Sequence, residues 1–345
     1  MTTRILYQLP DAAAVSEDGR LVEYIPYTRQ EAGAVFLGKV ERMMPGLDCA
    51  FVDIGRKKAG FLPLKENSKT FSGGFLRSGD LIPVQIRKEE TGEKGAFLSR
   101  DISLAGTFVI LMPFNRFTGV SKRIESPEAR KRMKKTGEDI AGNRFGIVVR
   151  EAAEHADPAL VRQEAEMLLC EWNMLQKRIA EGGKPGILCG EDPLSGLIRD
   201  YGGKGPYTVE TAEQLPELLR GQLKAALNRV IPLKGGGNLV IDRCEAMTVI
   251  DVNTGSGSAG ADKQQTVLNT NLAACGVIAG TVRLRNTGGI ILIDFIDMDH
   301  EEDRAQVEEH LRNAFREDRE KTVIHGWTRL GLMEMTRKRR GPELQ

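Results

Sequence analysis

The chain has 345 residues, 41% hydrophobic and 28% charged, with a formal net charge of +1. That profile excludes a disordered or fibrous protein, and the length suggests two or more domains with ample core. No uninterrupted apolar run approaches the ~18 residues that span a bilayer, and "MTTRILYQLPDAAAVSEDGR" has no secretory pattern, so a cytoplasmic location without a membrane span is expected.

From Gly33 to about Ile102, short strand-like runs dominate: "AVFLGKVERM", "LDCAFVDIG", "AGFLPL", "LIPVQIRKEE" and "GAFLSRDISL". Strands at this spacing, divided by Gly- and Asp-containing turns, suggest a small barrel or sandwich. "FVDIGRKKAGFLPL" reads as a hairpin that carries Phe51 and Phe61 around Arg56, Lys57 and Lys58. Aromatics amid cations suit a single nucleic-acid strand, because bases stack on rings while cations meet phosphates; the alternative is that both rings fill the barrel core. Residues 107–195 mix a basic segment, "SKRIESPEARKRMKK", with "FGIVVREAAE" and a helix, "PALVRQEAEMLLCEWNMLQKRIAEGG", stopped by a glycine pair. A second helix is expected in "AEQLPELLRGQLKAAL". After "PLKGGG" comes a strand pair, "NLVIDRCEAMTVIDVNTG", and a Gly/Ser-rich loop, "GSGSAGADKQQ". Leu268, Leu272, Cys275, Ala279 and Val282 then recur with the helical period. The buried strand "GIILID" and a helix with Val307, Leu311, Ala314 and Phe315 inward follow, which marks residues from about 227 onward as an α/β layer.

The acids gather in that last layer. The strand period of two puts Asp251 and Asn253 on one face, and Asp294 ends "GIILID". If the two strands are neighbours, both carboxylates lie about one strand spacing, ~5 Å, apart at the carboxyl ends of the strands. Such a set suits a hard cation that keeps water and completes its shell with phosphate oxygens, as magnesium does. Asp299, Glu301, Glu302 and Asp303 read instead as helix-start residues favoured by the dipole, while Asp297 could cap or join the acid pair. The five cysteines are odd in number and form no C-x-x-C, and the four histidines are isolated, so thiolate or imidazole metal chemistry is not indicated.

Taken together, "FVDIGRKKAGFLPLKE", "MTVIDVNTG", "TVLNTNL", "RLRNTGGIILIDFIDM" and "TRLGLMEMTRKRRGPEL" closely resemble, in order and spacing, the catalytic half of the ribonuclease E/G family over nearly the whole chain. The resemblance implies an α+β multidomain fold: a first segment of an RNase H-like domain (1–32), an inserted S1-type OB-fold barrel (33–106), a 5′-sensor domain (107–195), a second RNase H-like segment (196–226) and a DNase I-like α/β catalytic domain (227–345). It implies magnesium-dependent endonucleolytic cleavage of single-stranded RNA to 5′-phosphate and 3′-hydroxyl ends. By motif, Asp251 and Asp294 match the metal-binding acids, Asn253 the adjacent catalytic amide, Phe51, Phe61 and Lys94 the RNA-gripping residues, and Arg150 the arginine that holds a 5′-monophosphate. Glu151 stands where the family has threonine, "SGSAGAD" lacks the usual basic residue, and Gln264 and Gln265 replace an acidic pair. The family's zinc-link cysteines do not follow "TRKRRGPEL", so neither zinc nor a zinc-linked tetramer is expected, while a homodimer stays open. A non-catalytic RNA-binding relative is the rival reading, which the intact acids disfavour.

Overall fold

The computed structural model describes residues 2–27, 31–64, 76–90, 94–190, 192–255, 263–338 and 343–344. It forms two compact units, one of Met1–Thr28 with Tyr207–Gln345 and one of Arg29–Pro206. The chain opens with an antiparallel meander, β1 (Arg4–Gln8), β2 (Ala12–Glu17) and β3 (Arg20–Pro26). Asp18 and Gly19, at φ 48° and 75°, make its second turn, the Asp-Gly pair that a right-twisted hairpin prefers.

The Arg29–Pro206 unit begins with β4 (Val35–Met44), β5 (Cys49–Asp53), β6 (Gly60–Pro63), β7 (Leu81–Lys88) and β8 (Phe97–Ser99). They pair in the order β4-β5-β6-β8-β7, and β7 returns to β4, closing a five-stranded barrel consistent with an OB fold. Closure removes the sheet edges, and Phe36, Val52, Leu62, Val84 and Leu98 fill the interior at 0% exposure. A smaller sheet follows from β9 (Leu104–Ala105), β10 (Val109–Met112), β11 (Thr118–Val120) and β12 (Gly146–Val149), ordered β11-β12-β10-β9. Between and after these strands run α1 (Pro127–Ala141), α2 (Pro158–Glu181), β13 (Gly186–Cys189), which pairs with β4, and α3 (Pro193–Tyr201).

All three helices start alike. Ser126, Asp157 and Asp192 each accept a backbone N–H from the first turn, and a proline follows each cap where its missing N–H costs nothing. α1 lies within the basic segment and α3 at the end of the 107–195 stretch, where no helix is expected from periodicity, yet both begin with this Ser-Pro or Asp-Pro signal. Along α2, Val161 and Ala165 pack on the small sheet, while Trp172 and Leu175 meet Val35, Ile102 and Leu104 beside the barrel. One long amphipathic helix thus joins the two cores of this unit.

The other unit resumes with β14 (Thr208–Thr211), parallel to β1, and α4 (Glu217–Ala226). α4 starts later than its sequence stretch suggested, because Pro216 disfavours the α region at Leu215. The last sheet contains β15 (Val230–Pro232), β16 (Asn238–Arg243), β17 (Met247–Asn253), β18 (Gly289–Asp294), β19 (Thr322–Trp327) and β20 (Met333–Arg337), in the order β15-β16-β17-β18-β20-β19. Its one parallel pair, β17 and β18, is bridged by α5 (Lys263–Arg285), and α6 (Glu301–Ala314) follows β18. Ile250, Ile291, Ile293, Met333 and Met335 form one core with Cys275, Ile278, Val307 and Leu311 of the helices. β18 lies inside the sheet, but it is not buried on both faces: Ile290 is 48% exposed, since the helices cover only the opposite side. Among the described residues, Gln264–Arg285 is long and apolar enough to cross a membrane, yet half of it is buried against this core.

Candidate nucleic-acid interface and carboxylate site

The alternation of strands settles where the barrel aromatics point. Val52, Leu62 and Leu98 face inward, so their neighbours Phe51, Phe61 and Phe97 face outward and are only partly covered. Phe51 pairs with Phe61, and Phe61 with Phe97, across β5, β6 and β8. Ring centroids are 6.2 Å and 5.7 Å apart, with interplanar angles of 76° and 34°. The core alternative for Phe51 and Phe61 therefore does not hold. Lys94 is exposed on the approach to β8. Arg56 does not join the rings: it pairs with Glu31 and lies 5.3 Å from the Phe36 ring. The cations on the row are Arg42, 6.0 Å from the Phe51 ring, and Lys88, 5.8 Å from that of Phe97. Phe97 was missed in the sequence, where the only signal is the aromatic-then-aliphatic pair "FL" that "FV" and "FL" also show in the two earlier strands.

The predicted 5′-phosphate pair lies in the same unit. Arg150 donates to the Gly106 carbonyl at 2.5 Å and to Asp200 Oδ1 at 3.1 Å. Glu151 accepts from Arg123 Nη1 at 3.0 Å. Burial pushes the Glu151 carboxyl upward, but its own amide, the Ser121 hydroxyl and Arg123 together hold it below the ordinary carboxylate range. The carboxylate thus occupies a small anion cradle of its own.

In the other unit, β17 and β18 are neighbours, and Asp251 is in register with Asp294. Because Ile250 and Ile293 point into the helix-covered core, both acids fall on the open face. Asn253 Nδ2 donates to Asp251 Oδ2 at 2.8 Å, which fixes that carboxylate. Partial burial, then Asp251, then Asp297 raise the Asp294 carboxyl above its ordinary value. Asp297 thus bears on the Asp294 charge. Glu301, Glu302 and Asp303 occupy the first turn of α6, but no side chain caps that helix. Asp299 directly precedes the N-cap His300 of α6, the place expected for it, and its side chain accepts from Gln264 Nε2 at 3.0 Å rather than capping the helix. Among the described residues, no three His, Cys, Asp or Glu side chains are grouped as metal ligands. Two adjacent, mutually repelling carboxylates nevertheless fit a hydrated magnesium ion, which takes one or two carboxylates and keeps several waters.

Two further features position this end of the sheet. Asn271 of α5 is fully buried; its Nδ2 donates to the Ile296 carbonyl at 2.9 Å, and its Oδ1 accepts from the Ile296 amide at 3.1 Å. That reciprocal pair anchors the segment leaving Asp294. Gly237, at φ 85°, lets the β15–β16 turn approach β17 so closely that a Cβ would lie 2.2 Å from the Asn253 carbonyl oxygen. Of the predicted Gly/Ser-rich loop, 255–265, residues 256–262 lie outside the described residues, and its last three residues belong to α5, which begins at Lys263.

A barrel with an outward aromatic row and a separate α/β sheet with paired acids at its strand ends define a class: proteins that combine a single-strand nucleic-acid surface with acid-based phosphoryl chemistry. The family profile described as Ribonuclease E/G family matches residues 103–214 and 208–340. The chain is 37% identical to ribonuclease G of Haemophilus influenzae, over 91% of this chain and 73% of that protein. It is 35% identical to ribonuclease G of Escherichia coli K12, over 93% and 76%. To ribonuclease E of Haemophilus influenzae it is 34% identical, over 92% of this chain and 39% of that longer protein. The chain belongs to the ribonuclease E/G family.

Proposed function

We propose that this endoribonuclease of the ribonuclease E/G family cuts single-stranded RNA at a magnesium ion held by Asp251 and Asp294, leaving 5′-phosphate and 3′-hydroxyl ends. The observation that carries the reading is the register of Asp251 with Asp294 on the open sheet face, where their charges oppose one another. Magnesium bound there would polarise an attacking water and offset charge on the scissile phosphate. Asn253 orients the Asp251 carboxylate through its amide N–H. Phe51, Phe61 and Lys94 hold the strand, the rings by stacking and the ammonium by phosphate contact. The finer domain reading, an RNase H-like domain split around the barrel and sensor and a DNase I-like catalytic domain, belongs to the same proposal. The test is a labelled A/U-rich single-stranded oligonucleotide incubated with and without magnesium, its product ends mapped. Internal cleavage only with magnesium is expected; equal cleavage in a chelator, or none in magnesium, overturns the reading.

Arg150 and Glu151 are then a 5′-end pocket that is already filled. A 5′-monophosphate would need the donors that Glu151 now uses, and its charge would meet a like charge at close range. Comparable kcat/KM is expected for 5′-monophosphorylated and 5′-hydroxylated RNA. Glu151→Thr removes the carboxylate that the Ser121 and Arg123 donors now hold and is expected to favour the monophosphate several-fold. A strong monophosphate preference in the unmodified protein, undiminished in Arg150→Ala, would remove this pocket from end recognition.

A further inference from the structure

The outward row on the barrel is longer than the pair of rings that the proposed function uses. Arg42 of β4 pairs with Phe51 of β5, Phe51 with Phe61 of β6, Phe61 with Phe97 of β8, and Phe97 with Lys88 of β7. Five side chains from five successive strands thus stand in one line, with a cation at each end and three rings between. Arg42 and Lys88 are exposed, and the three rings are partly exposed. Their inward neighbours already fill the barrel, so core packing does not require an aromatic residue at position 97. Phe97 closes the line at 5.7 Å from Phe61, nearly the spacing at which Phe61 stands from Phe51.

We infer that Phe97 is a third base-stacking platform, and that Arg42 and Lys88 clamp the phosphates at the two ends of a three-nucleotide subsite for single-stranded RNA. The inference rests on the reading of the barrel as an RNA surface. Every base offers a π-face, so the subsite is tolerant of sequence. It demands that three consecutive nucleotides be unpaired, since a base held in a duplex cannot spread onto separate rings. Each end cation replaces condensed counterions and adds to the salt dependence of binding.

The test is fluorescence anisotropy of the whole chain with a labelled single-stranded oligonucleotide in a chelator, so that binding is read without cleavage. Phe97→Tyr keeps the ring and is expected to bind like the unmodified protein. Phe97→Leu keeps apolar bulk but offers no ring, and is expected to weaken binding about 5- to 160-fold, the usual worth of one base–aromatic stack. Lys88→Gln is expected to reduce the slope of log K against log salt by about 0.7, one single-strand phosphate contact. Thermal melting of each variant separates lost binding from lost folding: a Phe97→Leu protein that melts normally but binds weakly supports the subsite. Unmodified affinity in Phe97→Leu overturns it. Phe51→Ala distinguishes the two levels of failure. If it weakens binding while Phe97→Leu does not, only the third platform falls; if neither does, the barrel is not an RNA surface and the proposed function loses its grip on the strand.

Discussion

Asp251→Asn and Asp294→Asn are each expected to abolish RNA cleavage while leaving RNA affinity within about twofold of the unmodified protein, since most affinity is expected from phosphate contacts and stacking. The acids lie in register on adjacent strands, and Asp294 is held above its ordinary value by partial burial and by Asp251 and Asp297. Converting either acid to an amide removes a proposed metal ligand and relieves the repulsion between the two carboxylates at once. The variants are therefore expected to be no less stable than the parent in thermal melts without metal, and magnesium is expected to raise the melting temperature of the parent more than theirs. Single-turnover cleavage, chelator-phase binding and melting separate these effects. Near-normal turnover in both variants would end the assignment of these carboxylates to the reaction.

The second large effect is on folding. Asp318 and Arg337 form a bidentate pair, with Nε to Oδ2 at 2.7 Å and Nη2 to Oδ1 at 3.1 Å, and their side chains are 0% and 1% exposed. Arg337 also donates to the Thr287 carbonyl at 3.0 Å, at the turn that leads into β18. Asp318→Ala takes from the buried guanidinium its bidentate partner and leaves Glu23 as an acid that acts on it only at longer range; breaking a buried pair on one side typically costs about 3–5 kcal/mol. The urea midpoint should fall accordingly. The double substitution Asp318→Leu with Arg337→Met removes both charges and should recover much of the loss, because a buried pair is often matched by apolar groups of similar size. A midpoint unchanged in Asp318→Ala would show that the pair carries no such weight. Since Arg337 is in register with Gly289, at the opposite end of β18 from Asp294, this prediction tests the scaffold without touching the carboxylates.

Much of the site was legible in the linear chain because it depends on short periods. The two-residue repeat of a strand put Asp251 and Asn253 on one face, and the helical repeat from Leu268 to Val282 found the crossover that makes β17 and β18 parallel neighbours. The signals for α1 and α3 were also present, as a capping side chain followed by proline, but a run of basic residues obscured the first and brevity the second. What no local pattern could supply was the choice among partners. Arg56 stands between the two aromatic strands in sequence, yet pairs with Glu31; Arg42 and Lys88, distant in sequence, take the places beside the rings. Asp299 reads as a helix-start acid, but Gln264, 35 residues earlier, holds it.

The sequence by itself determined the family, the strand-like runs of the barrel and the shared face of Asp251 and Asn253, because these follow from repeats of two and 3.6 residues and from contiguous motifs. Only the tertiary structure decided that the barrel closes, that Phe97 extends the line of rings, that Glu151 already rests among Ser121, Arg123 and its own amide, and that β18 is covered on one face alone. Each of those depends on which distant segment lies alongside, a choice made by burying the whole set of apolar faces together rather than by any residue's own neighbours in the chain.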